Sequence, residues 1–341
     1  MHNMERWKNL RRSLLRIRWK KRLAAVSHEH VGRGIVPGKD CGRSESGESN
    51  RRKELLGHGV TLLCAGLLGI VTITLIAFIA RKGVSTFIGT GISVWDFITG
   101  TQWDPDRLLA GGGPSFGAFS FILGSFAISM LAVVFAVPVG VGAAIFISEI
   151  SPSFGEKVLR PCTELFVGIP SVVYGWVGLT VLVPAIRACF GGLGFSLLAG
   201  GIVLSVMILP TVTTVACDAL KGVPRGLREA AYSLGSTRWQ VISRVLIPAA
   251  APGILTGVIL GMGRAFGETL AVQMVIGNVR VIPGSLLDPG ITLTTGITMD
   301  MANTVSGSLW NNALWSLALV LLLMSVGFMA LVKWVGNKAK S

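Results

Sequence analysis

Outside its first fifty or so residues this sequence is short of charge. Of 341 residues, 14% are charged and 51% hydrophobic, against about 25% charged in a soluble domain. Residues 1–54 hold 15 Lys/Arg and 6 Asp/Glu, which leaves 27 charged residues to the other 287. That scarcity excludes a soluble two-domain enzyme. Histidine is confined to His2, His28, His30 and His58, which excludes a zinc site or a histidine proton relay in the apolar part. The five cysteines (Cys41, Cys64, Cys162, Cys189, Cys217) show no CxxC spacing. They read as small apolar fillers, not disulfides or metal ligands. A GxxxxGK(S/T) phosphate loop is also lacking, so the chain is not read as an ATPase, and no cofactor or metal is expected.

What the sequence does have is long charge-free runs. Gly59–Ala80 is 22 residues without a charge, enough for one tilted helix across a hydrocarbon core of about 30 Å. Leu108–Ser148 is uncharged for 41 residues, but Gly111-Gly112-Gly113-Pro114 breaks its start. A second helix from about Phe116 to Ser148 is longer than a bilayer needs, so it is expected to be partly interfacial or kinked at Pro138. Further spans are expected at Leu165–Ile186 with Pro170 inside, Leu193–Ala216, Gly253–Ile276 and Trp310–Val335. Pro138, Pro170, Pro184 and Pro210 read as kinks or helix ends, and glycines such as Gly263 and Gly267 as close-packing sites. The fold class is all-α integral membrane with six spans.

Net charge is +14 and the isoelectric point is near 10.2, yet no C₂H₂ finger or RNP box accompanies it, so nucleic acid is not expected as a partner. With six spans both termini share one side. That side carries 25 Lys/Arg: 15 in the tail, Lys157 and Arg160, five from Lys221 to Arg244, and Lys333, Lys338 and Lys340. The other side has Arg81, Lys82, Arg107, Arg187 and Arg280. The positive-inside rule places both termini in the cytoplasm. Residues 4–26 alternate basic and apolar residues as a cationic interfacial helix does, and 27–53 read as a flexible linker. The tail is either a lipid anchor or an extension of little consequence. No signal peptide is expected, because the first apolar run starts late and is long. Two long extracytoplasmic loops, about 81–115 and 277–309, carry Trp95, Trp103 and a threonine-rich run to Thr298. The tryptophans read as interface anchors or as a docking point for a partner.

Residues 217–252 are rich in helix formers and sit between spans four and five on the positive side. Glu229-Ala230-Ala231, then Gly235, then Val245-Leu246-Ile247-Pro248 describe a helix, a turn that glycine permits, and a second helix. The alanines and Gly235 read as a small-residue face for another protein. In span five, Arg264 and Glu268 lie four apart on one expected helix face. Each costs about 2.5–3.5 kcal/mol if alone at the bilayer centre, so a partner or a wet path is expected. Arg before Glu is the poorer order for an intrahelical pair. The pair is either a structural tie or an oxyanion site, with Arg264 offering a planar fork and Glu268 positioning it.

The Glu-Ala-Ala…Gly…Val-Leu-Ile-Pro stretch resembles the EAA signature of ABC-importer permeases. Gly263-Arg264-Ala265-Phe266-Gly267-Glu268-Thr269-Leu270-Ala271-Val272 resembles the PstC-type permease of phosphate-specific ABC importers. Phe116-Gly117-Ala118-Phe119, Gly168-Ile169-Pro170-Ser171 and Met207-Ile208-Leu209-Pro210-Thr211 share in that resemblance. Leu270-Ala271 stands where the sister PstA type usually has Ala-Pro. The resemblance runs from about residue 54 to the C-terminus. It implies a type I importer bundle in the bacterial inner membrane, in which Glu229, Ala230, Ala231 and Gly235 couple to an ATP-binding subunit. It also implies a PstA-like permease, two ATP-binding subunits and an extracytoplasmic phosphate-binding protein as partners. The expected division is a basic tail (1–53), a first span with its loop (54–115) and a transport domain (116–336). Transport of sulfate or molybdate, or a sensor role, remains open at this point.

Overall fold

The computed structural model describes residues 45–90, 93–104 and 115–338. The interfacial helix expected over 4–26 and most of the 27–53 linker lie outside the described residues. The chain separates into two units, Met1–Gly69 and Ile70–Ser341. The division falls within α1 (Glu45–Thr90), whose N-terminal portion is the described part of the first unit.

Among the described residues six helices are long and apolar enough to cross a membrane: Gly57–Ile88, Phe119–Ile150, Ser171–Phe190, Leu197–Lys221, Arg238–Gly267 and Leu309–Trp334. Their number matches the sequence reading, while their ends differ for local reasons. α1 runs through Arg81 and Lys82 to Thr90, so the first loop is shorter than expected. Its last turns are seated on the final helix. Ser316 donates to the Gly83 carbonyl at 2.7 Å and meets the Thr86 hydroxyl at 2.8 Å, and Phe78 meets Trp315 edge-on.

A short helix α2 (Val94–Thr99) and a pair of two-residue antiparallel strands, β1 (Trp103–Asp104) and β2 (Ser115–Phe116), follow. They bury Phe97, Trp103 and Phe116 with Phe121 in an aromatic cluster. Trp103 is thus a core residue rather than an interface anchor, because edge-to-face rings and a hydrogen bond from its indole hold it inside. Trp95 is 71% exposed.

α3 (Phe119–Ile145) continues through Pro138 and ends in a π turn, Phe146–Ile150. After a second π turn, Gly155–Leu159, comes α4 (Arg160–Gly168). The expected third helix breaks at Ile169-Pro170, since a residue before proline avoids helical ψ, and Ile169 has ψ 128°. α5 (Ser171–Val177), a π turn at Gly178–Leu182 and α6 (Val183–Phe190) then form the span, with Pro184 in the first turn of α6. α7 (Leu197–Lys221) starts on Ser196, whose hydroxyl accepts from the Ala199 N–H. Pro210 lies within it. α8 (Arg225–Ser233) and α9 (Arg238–Val241) form the loop between spans four and five. A π turn, Ile242–Leu246, leads into α10 (Ile247–Gly267), and α11 (Leu270–Val275) follows. The second long loop is partly helical. Thr292 and Thr295 form a reciprocal capping box that starts α12 (Leu293–Met301), and α13 (Leu309–Lys338) completes the chain.

α7 is the central helix, with α3 and α10 packed along it, α13 against α10, and α11 against α5. Gly175 lets α5 approach α11, since a Cβ there would lie 2.8 Å from the Ala271 Cα. Gly267, expected to be a packing site, instead faces open space. The four described cysteines are free thiols, and Cys217 is the buried one among them.

Candidate functional site: a clamped loop and a broken fifth span

At one end of the bundle lies the α8–α9 loop. α8 ends in a Schellman arrangement: Ser236 N–H donates to Ala231 O at 3.3 Å and Gly235 N–H to Tyr232 O at 2.9 Å. This needs φ +76° at Gly235, which glycine adopts without a Cβ penalty. Thr237 and Gln240 then cap α9 reciprocally. Glu229, Ala230 and Gly235 are exposed, but Ala231 is 8% exposed and packs inward with Leu220, Val241 and Leu246. The three alanine and glycine positions therefore do not share one outer face. Leu227, Tyr232, Leu234 and Trp239 are exposed on the loop, with Leu234 87% so.

This loop is tied to the end of α3. Arg228 donates to the Glu149 carboxylate at 2.7 Å and to the Leu220 carbonyl at 2.8 Å. Arg238 donates to the backbone carbonyls of Glu149 and Ile150. Around it, Glu156 pairs with Lys221 and Arg160, and Arg160 also reaches Glu164 and Asp218. Glu149 and Arg228 are the better screened pair, with side chains 14% and 25% exposed.

The second candidate site departs from the expected geometry. Arg264 and Glu268 do not share a helix face, because α10 ends at Gly267 and Glu268 is extended, with ψ 130°. Gly267 and the β-branched Thr269 flank the break, both poor helix residues. Arg264 occupies the last turn of α10, where a cation meets the negative end of the helix dipole. Glu268 turns to the next segment, its Oε1 accepting from the Ala271 N–H at 3.2 Å to cap α11. Its carbonyl accepts from the Thr294 hydroxyl at 3.0 Å. Arg264 is half-buried, within electrostatic range of the Tyr174 hydroxyl, and has no hydrogen bond or ion pair among the described residues.

Near the start of α3, Asp300 of α12 is 3% exposed and holds two partners. It accepts from Trp103 Nε1 at 3.0 Å and pairs with Arg280. Beside it opens a cleft of about 590 Å³ lined by Thr101, Gln102, Asp104, Arg280 and their neighbours. Neither Glu149 nor Asp300 stands out in a motif. Their signal is rarity: each is an isolated acid in a stretch with little charge, and such residues are retained where they are paired. Among the described residues no group of His, Cys, Asp and Glu could hold a metal ion.

Residues 136–341 match the family described as "Binding-protein-dependent transport system inner membrane component". The chain is 49% identical over 297 residues to the probable ABC transporter permease protein YqgH of Bacillus subtilis, covering 86% of this chain and 95% of that one. It is 35% identical to the phosphate transport system permease protein PstC of Mesorhizobium japonicum, covering 82% and 87%. Among solved structures it resembles a chain of a bacterial ABC transporter involved in the import of the polysaccharide alginate. That match has a TM-score of 0.57 and 15% identity, and covers 86% of this chain and 99% of that one. Six apolar helices among the described residues, a helical loop between the fourth and fifth, and these similarities together make the chain a member of the binding-protein-dependent transport system inner membrane component family, a permease subunit of an ABC transporter.

Proposed function

We propose that this chain is one permease half of an importer that moves inorganic phosphate into the cytoplasm, driven by ATP hydrolysis on separate subunits. The observation that carries the reading is Arg264, a half-buried guanidinium with no hydrogen bond or ion pair among the described residues, at a break in the fifth span. A half-buried charge within a membrane span is retained when something else meets it. A planar fork that stays charged at all working pH values fits a tetrahedral oxyanion. The relatives named as phosphate transport permeases support phosphate as that anion. Glu268, just past the break, adds a negative charge that keeps binding weak enough for release.

The remaining assignments belong to the same reading. Glu229, Ala230 and Gly235, with the exposed Leu227, Tyr232, Leu234 and Trp239 around them, seat an ATP-binding subunit. Ala231 supports that seat from below. A PstA-like permease completes the pathway, a second ATP-binding subunit serves it, and an extracytoplasmic phosphate-binding protein delivers to the end with the Asp300 cleft. The chain sits in the inner membrane with both termini in the cytoplasm. Residues 1–53 are the basic tail, 54–115 the first span with its loop, and 116–336 the transport domain.

The test is labelled phosphate uptake at low concentration, with and without this chain, challenged by excess sulfate and molybdate. Loss of uptake on deletion, with no competition from the other anions, is the expected result. Uptake lost to sulfate or molybdate competition reassigns the substrate. A deletion that alters phosphate-dependent gene expression while uptake is intact supports a sensor instead.

A further inference from the structure

The clamp on α3 and the break beside Arg264 lie far apart, yet one helix touches both. Glu149 stands in the π turn that ends α3, where the Ser151 N–H reaches back to the Phe146 carbonyl at 2.9 Å. Two arginines from the loop, Arg228 and Arg238, grip this turn from α8 and α9, one through the carboxylate and one through backbone carbonyls. Some 24 residues earlier on α3, about 36 Å away along the axis, the Ser125 hydroxyl accepts from the Leu293 N–H at 2.8 Å. The neighbouring Gly124 leaves no room for a side chain against the Ile291 carbonyl. One residue further along α12, Thr294 donates to the Glu268 carbonyl at the break itself. Each link is a direct hydrogen bond or backbone contact, so the two regions are joined by a continuous series of packed segments.

We propose that Glu149 is a positioning residue that transmits movement of the α8–α9 loop to α3, and through α12 to the helix break beside Arg264. The neighbouring ion pairs run elsewhere. Lys221–Glu156 and Arg160–Asp218 tie α7 to the segment around α4, whereas Arg228, which also holds the Leu220 carbonyl of α7, and Arg238 both reach the terminal turn of α3. The π turn suits the task, because it holds one residue more than an α turn and is a common site of functional irregularity. Loop motion that pulls on Glu149 therefore shifts α3 as a rod, and the Ser125–Leu293 contact carries the shift to Thr294 and the Glu268 carbonyl.

This inference rests on the reading of the loop as the seat of an ATP-binding subunit, and the experiment separates the two. The complete complex in proteoliposomes is assayed for ATP hydrolysis and labelled phosphate uptake together. Glu149→Ala is expected to keep ATP hydrolysis and co-purification with the ATP-binding subunits, while transport per ATP falls about tenfold, the size of an ordinary coupling energy. Glu149→Gln, which keeps an acceptor but no charge, falls between. Arg228→Ala gives the same loss as Glu149→Ala, and the double variant is no worse than either single one. Should Glu149→Ala fail to assemble, Glu149→Gln carries the measurement. An unchanged ratio, or hydrolysis and uptake falling in parallel, overturns the inference and leaves the function reading standing. A wild-type complex that moves sulfate or molybdate instead of phosphate overturns the function reading, and the ratio is then measured on that anion. A complex that moves none of the three overturns both.

Discussion

Arg264 owes its position to the end of α10, where the last-turn carbonyls favour a cation, and among the described residues no acid pairs with it. If it meets an oxyanion, charge alone does not replace it. Arg264→Ala is expected to abolish labelled phosphate uptake in an assembled complex. Arg264→Lys is expected to retain a small part of it, since an ammonium lacks the bidentate fork. Wild-type uptake by Arg264→Ala would remove the assignment. Asp300 makes a different kind of demand. Its carboxylate is shared by the Trp103 indole and Arg280, so Asp300→Ala strands a buried donor at a cost of about 1–3 kcal/mol. Thermal melting of the purified protein should show that loss, with Asp300→Asn milder because it keeps an acceptor for Trp103. The sequence presented Arg264 clearly, as a rare charge in an apolar run. It concealed Asp300, whose partners lie 197 and 20 residues away.

At the scale of elements, the breaks matter more than the helices. Gly235 holds φ +76° with nothing near its absent Cβ, so a substitution there strains only the backbone. Gly235→Asn should therefore be mild, since asparagine visits this region, and Gly235→Val costly by about 1–3 kcal/mol. Limited proteolysis of the α8–α9 loop reads the difference, and equal protection in both variants would count against the account. Gly175 differs, for the Ala271 backbone stands against it. Gly175→Leu is expected to push α5 from α11 at about 1–3 kcal/mol. The helix–turn–helix at 225–241 was legible because glycine, caps and helix formers agree locally. The break at Glu268 was not, because an unbroken apolar run reads as one helix. What ends α10 is the competing cap on the Ala271 N–H together with the Thr294 hydroxyl, which comes from a distant segment.

For the whole molecule, the positive-charge asymmetry yields a checkable topology. In a chain whose native cysteines are replaced by alanine, single cysteines at Ser236 and Ser285 report the two sides. An impermeant maleimide is expected to label position 285 in cells with a permeable outer barrier, and position 236 only after the membrane is opened. The reverse pattern would invert the orientation and move the ATP-binding seat to the wrong side.

Composition and hydropathy by themselves determined that six helices span a membrane, since each span's apolar run is a local property that a bilayer reads directly. They also located the α8–α9 loop and singled out Arg264. Only the tertiary structure decided that Arg264 and Glu268 part company, that Trp103 is core, that Ala231 faces inward, and that Glu149 is gripped by two arginines. Those outcomes depend on contacts between segments far apart in the chain. Nothing in a local pattern of residues records which distant carboxylate or carbonyl will be waiting when the helices pack.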